Sequence, residues 1–252
     1  VDNPSNSILG VRNLSAGYGG RPIVTDINLQ MRLSDVLGLL GANGAGKSTL
    51  LKAVTGQIRL LGGTVTINGV DLAAEPVWAK SQFGLAIDAA NLPSALSGQQ
   101  YLELVASIRG CSSTAFPVAE PLERLGLRPW LHCSIADYSL GTRAKLSILA
   151  ALLGAPPLLI FDESLNGLDP VSAWECKQMI RDLAATGRHA IILSTHIVEA
   201  VPGLCNRALF LAEGRIVRSW DHAELDNASS SPGAFEANVM EAFTAYRTRA
   251  TA

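Results

Sequence analysis

The sequence predicts an α/β fold: a mixed sheet with an antiparallel β portion, accompanied by a helical subdomain. Three observations lead there. Val36 to Leu40 and Leu158 to Phe161 are short, wholly apolar runs suited to buried strands. Ile27, Leu29, Met31 and Leu33 alternate with Asn28, Gln30 and Arg32, the period of a strand with one buried face. From Leu96 to about Leu153 the period becomes helical, with Leu102, Leu104, Val105, Ile108, Leu122, Leu125 and Leu127 punctuated by Gly110, Pro117, Gly126 and Pro129.

The length of 252 residues, 48% of them hydrophobic and 17% charged, accommodates one large α/β domain and a small subdomain. The main domain is expected over 1–220, its helical subdomain over about 90–153, and a linker with a short helix over 221–252. A net charge of -2 without a long basic run gives no electrostatic footprint for nucleic acid, so no nucleic-acid partner is expected. Cys111, Cys133, Cys176 and Cys205 are scattered without a C-x-x-C pair, which suggests neither a disulfide framework nor a zinc site and fits a reducing compartment. Val1 to Ser7 is polar and lacks the layout of a signal peptide. The longest apolar stretch, Leu146 to Phe161, is broken by Pro156-Pro157 and is too short to cross a bilayer.

In chain order, Ile8 to Leu14 reads as a first strand and Ser15 to Gly20 as a glycine-rich turn displaying Tyr18, a ring that either stacks on a purine or packs as an ordinary loop tyrosine. Gly41 to Thr49 (Gly-Ala-Asn-Gly-Ala-Gly-Lys-Ser-Thr) then fits G-x-x-x-x-G-K-[ST] at every fixed position, between the apolar run and a helix-compatible Lys47 to Thr55. Such a loop turns backbone N–H groups around an anion, and the helix behind it adds its positive end. Gly41, Asn43, Gly44, Ala45, Gly46, Lys47, Ser48 and Thr49 are therefore candidate nucleotide ligands, with Lys47 on the β- and γ-phosphates and Ser48 on Mg²⁺.

Thr64 to Gly69 looks like an edge strand ending in an Asn-Gly turn, and Gln82 to Ile87 like a short strand before the loop Asp88 to Pro93. Leu158 to Phe161 runs into Asp162-Glu163, the place where a parallel sheet presents ligand groups. Asp162 suits a Mg²⁺ ligand and Glu163 a base that orients and deprotonates water. Pro170 to Ala185 is a helix with proline in its first turn, Ala190 to Leu193 a strand ending in Ser194-Thr195-His196, and Arg207 to Leu211 with Arg215 to Arg218 a hairpin. From Asp221 onward, Asn227 to Gly233 marks a linker, and Phe235 to Tyr246 a short amphipathic helix.

Across nearly the whole chain these residues resemble the ATP-binding cassette subunits of ABC transporters. Tyr18 lies where that family has its adenine-stacking aromatic, and Tyr138-Ser139-Leu140-Gly141-Thr142 is similar to its signature segment. Ser164 to Pro170 resembles its linking loop with Asp169 as the aspartate, and Ser194 to His196 its switch histidine region. The resemblance implies an ATPase using ATP and Mg²⁺ that works as a head-to-tail dimer of cassette subunits. Ser139 and Gly141 of one subunit would then contact the γ-phosphate held by the other, with Glu163, His196 and Lys47 catalytic. It further implies an integral membrane transporter subunit as partner and a peripheral place on the cytoplasmic side of the cell membrane.

Two departures from the family pattern stand out. Leu140 and Thr142 flank Gly141 where glycine and glutamine are usual, and Asp88 replaces the usual Mg²⁺-contacting glutamine. Asp88 is either a metal ligand or a loop aspartate that fixes its own turn. Some export-type cassettes resemble this chain in having an acidic residue there, which tilts the expectation towards export. The competing reading is a soluble cassette ATPase without a membrane partner; against it stand a single phosphate loop and no sustained heptads. A kinase or GTPase would leave the signature without a role, and Glu163 with His196 argues against a cassette that binds ATP without hydrolysis.

Overall fold

The strand β3 (Val36–Leu40) is apolar at every position because both of its faces are covered. In the computed structural model, which describes residues 7–111, 119–165, 167–231 and 233–250, β3 lies inside a six-stranded sheet. The order is β10 (Arg215–Trp220), β9 (Arg207–Ala212), β3, β8 (Ala190–Thr195), β7 (Leu158–Asp162), β6 (Phe83–Ala86). All neighbours run parallel except the β9–β10 hairpin. Expectations placed on residues 1–6, Pro117, Asn166, Pro232 and residues 251–252 lie outside the described residues.

A second, antiparallel sheet has the order β2 (Arg21–Met31), β1 (Leu9–Tyr18), β4 (Leu60–Ile67), β5 (Val70–Asp71). It corrects the strand boundaries in three places. Ser15 to Tyr18 belongs to β1, and only Gly19-Gly20 turn. Gly17 misled as a breaker: a Cβ there would lie 1.9 Å from Arg21 O, so this glycine serves a close approach of β2 at an irregular pair. Leu33 falls outside β2 and is 41% exposed. The Thr64 to Ile67 stretch is interior in its sheet, because β5 pairs beyond it through the Asn68-Gly69 turn, both residues having left-handed φ (49° and 78°).

Alternate residues of the six-stranded sheet enter different cores. Leu37, Leu39, Leu158, Ile160, Ile192 and Leu209 pack with the antiparallel sheet and α1 (Lys47–Val54). Val36, Leu159, Phe161, Ile191 and Leu193 pack with α3 (Gly98–Ile108), α5 (Leu140–Leu152) and α6 (Pro170–Ala185). The short α2 (Pro76–Ser81) and α4 (Ala119–Arg124) complete the middle of the chain. Helix α3 begins at a capping box of Ser97 and Gln100, and α6 begins at Pro170 with Asp169 as its cap.

The segment from Asp221 is not a linker throughout. α7 (His222–Ala228) starts at a capping box formed by Asp221 and Glu224, and α8 (Ala234–Ala250) extends beyond the expected helix at both ends. The polar sequence concealed α7 because that helix buries only Leu225. Trp220, Phe235 and Val239 are buried against Phe210, Trp220 stacks edge-on to Phe235 at 5.3 Å, and its Nε1 donates to Asn238 Oδ1. The last helix is thus joined to the sheet by core packing. Phe235→Ala should destabilise the whole chain by about 3–5 kcal/mol, the scale for a buried aromatic. Urea unfolding would measure this, and a cost below about 1 kcal/mol would show that α8 is only loosely attached.

Candidate active site

The register of three parallel strands builds the site. Leu40 is level with Thr195 across β3 and β8, and Ser194 is level with Asp162 across β8 and β7. The segments that follow these strands, with the phosphate loop, Glu163 and His196, therefore leave the sheet along one edge, where parallel sheets hold ligands. β8 is the spacer that brings the first and second nucleotide motifs to this separation.

The phosphate loop is pressed between β2 and β9. A Cβ on Gly41 would stand 2.5 Å from Leu211 O; Gly46 has φ 108° and a Cβ there would stand 2.8 Å from Val24 Cγ1. Neither position accepts a side chain without displacement. Ala45 is anchored on both sides, its N–H donating to Ala42 O and its carbonyl accepting from Gly214 N–H. Gly46 caps α1 with no side-chain bond, so the first-turn N–H groups stay available to an anion. Asn43, Gly44, Gly46, Lys47, Ser48 and Thr49 line a cleft of about 470 Å³ together with Ile23 and Glu163.

Lys47 is 5% exposed, and its Nζ donates to Gly41 O at 2.8 Å and Ala42 O at 3.4 Å. Glu163 Oε1 lies 3.4 Å from Lys47 Nζ and 3.9 Å from His196 Nδ1, so all three expected catalytic side chains meet. Glu163 reaches that place from a left-handed backbone, φ 50°. Beside them Ser48, Asp88, Asp162 and Glu163 line a second cleft of about 270 Å³, which Leu140, Ala144 and Gly167 also border. A hydroxyl and carboxylates opening on one cleft are hard oxygen donors of the kind Mg²⁺ takes. Asp88 Oδ1 accepts from Ala90 N–H at 2.9 Å and caps a single 3-10 turn. Asp88 thus fixes its own turn and also borders the second cleft.

Other expected residues stand apart from the phosphate cleft. Tyr18 is 48% exposed at the end of β1 opposite Arg21 and does not line the phosphate cleft, which Ile23 of the same hairpin does. Ser139 is the exposed cap of α5, accepting from Thr142 N–H at 3.1 Å, and lines neither cleft of its own chain; nor does Gly141. Asp169 caps α6, and hydrogen bonds from Ser172 hold its carboxyl below the usual range.

Comparison with known proteins gives one answer. The pattern of the ABC transporter family matches residues 24–166. The bacitracin transport ATP-binding protein BcrA of Enterococcus faecalis is 30% identical over 241 residues, covering 93% of this chain and 78% of that protein. A fluoroquinolones export ATP-binding protein of Mycobacterium tuberculosis is 34% identical over 225 residues, covering 88% and 74%. A solved ATP-binding subunit of an ABC transporter superposes with a TM-score of 0.83 at 29% identity, covering 94% of this chain and 98% of that one. The chain belongs to the ABC transporter family, as an ATP-binding subunit.

As an ABC ATPase it has the mixed sheet, antiparallel portion and helices that the sequence predicts. Sequence reasoning missed Ile23 beside the phosphate loop, and Leu140, Ala144 and Gly167 at the second cleft. Ile23 lies on β2 and Leu140 and Ala144 on α5, and apolar residues of a strand or helix carry no chemical signal; only their position gives them away. It also missed that α8 contributes Val239, Met240 and Phe243 to a pocket on the far side of Gly41 to Ala45. The fit of Gly46 between α1 and Val24 leads to a direct test. Gly46→Ala should weaken binding of a fluorescent ATP analogue about tenfold or more, from strain of about 1–3 kcal/mol at a left-handed position. Gly62→Ala, at a position with open space, should leave binding unchanged.

Proposed function

We propose that this ABC ATPase hydrolyses ATP with Glu163 as general base and drives a separate integral membrane subunit in export. The observation that carries the reading is the Glu163 carboxylate, held 3.4 Å from Lys47 Nζ and 3.9 Å from His196 Nδ1 beside the phosphate loop. The triphosphate would lie against the first turn of α1, with Lys47 exchanging its carboxylate partner for phosphate oxygens. Glu163, released from that pair, accepts a proton from the attacking water. Lys47 then stabilises charge on the γ-phosphate in the transition state, and His196, 3.9 Å from Glu163, would be placed to approach the same oxygens. Ser48, Asp162 and Asp88 would hold Mg²⁺, which supplies positive charge to the β- and γ-phosphate oxygens when bound.

The chain would work as a homodimer closed around ATP. Support for this comes from Ser139 and Gly141, which line neither cleft of their own chain although α5 offers an N-terminus with no acidic residue in its first turn. A γ-phosphate shared between copies would hold the dimer closed, and its loss would release it. Tyr18 would stack on the adenine at the outer end of the cleft, and Asp169 would set the linking loop at the dimer face.

A membrane partner is supported by exposed apolar side chains on α2 and α3: Val77 at 85%, Trp78 at 60%, Leu104 at 47% and Ile108 at 76%. No helix among the described residues is long and apolar enough to cross a membrane. In this reading the spanning segments belong to that partner, with this chain on the cytoplasmic face. Relatives named for fluoroquinolone export and Nod factor export favour that direction. Glu163→Gln should retain ATP binding and lose turnover by on the order of 10² or more. Steady-state phosphate release decides it: near-normal hydrolysis in this variant would remove Glu163 from the role.

A further inference from the structure

Three consecutive residues of β8, Ile191, Ile192 and Leu193, are buried and apolar, and the fourth, Ser194, is equally buried at 4% exposure yet polar. A buried hydroxyl needs partners. Ser194 Oγ donates to Asp162 Oδ1, the residue level with it on β7, and accepts the Glu163 N–H at 2.9 Å. One hydroxyl has one hydrogen to give and lone pairs to receive, so both bonds form at once. We propose that Ser194 is a positioning residue for hydrolysis, fixing Asp162 and Glu163 together through this single hydroxyl. The proposal rests on the reading of Glu163 as base and Asp162 as metal ligand.

The backbone explains why such a device is needed. β7 ends at Asp162, so the ladder no longer dictates the conformation of Glu163. Glu163 then turns to φ 50°, a region a long L side chain rarely adopts. This turn redirects its carboxylate to Lys47 and His196. The Ser194 bond holds the N–H of the turned residue, so it opposes relaxation of Glu163 to an ordinary conformation that would carry the carboxylate away. The same hydroxyl occupies one oxygen of Asp162 and fixes the plane of the carboxylate, leaving the other oxygen for a ligand. The hydroxyl of Ser194 is taken up by these two bonds, so Ser194 acts through its two neighbours.

The test compares Ser194→Ala, Ser194→Thr, Glu163→Gln and the Ser194→Ala/Glu163→Gln pair in the full chain. Measurements are steady-state hydrolysis, binding of a fluorescent ATP analogue with and without Mg²⁺, and thermal unfolding. Ser194→Ala should lower kcat by about tenfold to a hundredfold, the cost of misplacing a reacting group. It should raise the Mg²⁺ concentration that half-saturates analogue binding, leaving metal-free binding within about twofold, since phosphate contacts of the loop are intact. Ser194→Thr keeps the hydroxyl and should restore most of kcat. At saturating Mg²⁺ the alanine should cost clearly less turnover in the Glu163→Gln background than it does alone, because only its effect through Asp162 remains.

Full kcat with unaltered Mg²⁺ dependence in Ser194→Ala would overturn the proposal. So would a kcat loss matched by lost metal-free binding and a lower melting temperature, or an additive loss in the pair. A threonine variant that melts normally and is as slow as alanine would overturn it as well. Near-normal hydrolysis by Glu163→Gln would instead reject Glu163 as base, and the Mg²⁺ arm, which reads Asp162 alone, would still decide for or against the hydroxyl.

Discussion

Lys47 carries its charge into the protein with 5% of its surface exposed, and the surroundings are arranged to answer it. A buried ammonium without partners is strongly unfavourable. Here the answer is partial: two carbonyls of the phosphate loop and one carboxylate from across the sheet. Carbonyls turn inward only if the loop wraps the side chain, which requires glycine where β2 and β9 press on it. The carboxylate arrives only if β7 ends one strand away from β3, with β8 between. Loop shape, strand order and the turned backbone of Glu163 all serve the same cation, and a triphosphate offers it more negative charge than Glu163 does.

This arrangement also links chemistry to motion. On the proposed reading, nucleotide would compete with Glu163 for Lys47, so occupancy of the loop would change the partner of Glu163, and β8 carries both Ser194 and the His196 loop to that point. The 3-10 turn Val198–Ala200 that follows His196 packs with α8, which ties the switch segment to the C-terminal helices. On the same reading, a change at the phosphates would reach the C-terminal helices through elements that are already in contact.

Much of this was legible because a few chemistries admit few residues. The spacing from Gly41 to Thr49 and the apolar run ending in Asp162-Glu163 stand out in any sequence, since close backbone approach demands glycine and an anion site demands a lysine. Strand order was not legible: nothing in Ala190 to Thr195 says that it lies between β3 and β7, because a buried parallel strand reads the same wherever it is placed. Gly17 looked like a turn and is a close contact between strands. The polar run after Asp221 looked like a linker because α7 shows the core a single leucine. Ser194 stood out only as the start of the segment that ends in His196; its own role lies in two hydrogen bonds to residues more than thirty positions away, of which one is a backbone N–H.

The most direct measurement is a crystal structure with Mg²⁺ and a non-hydrolysable ATP analogue. The account predicts that Lys47 Nζ leaves Glu163 and bridges the β- and γ-phosphates, while Glu163 keeps its turned backbone and its carboxylate faces a water in line with the γ-phosphate. A structure in which the Lys47–Glu163 pair persists with the triphosphate bound elsewhere would contradict it.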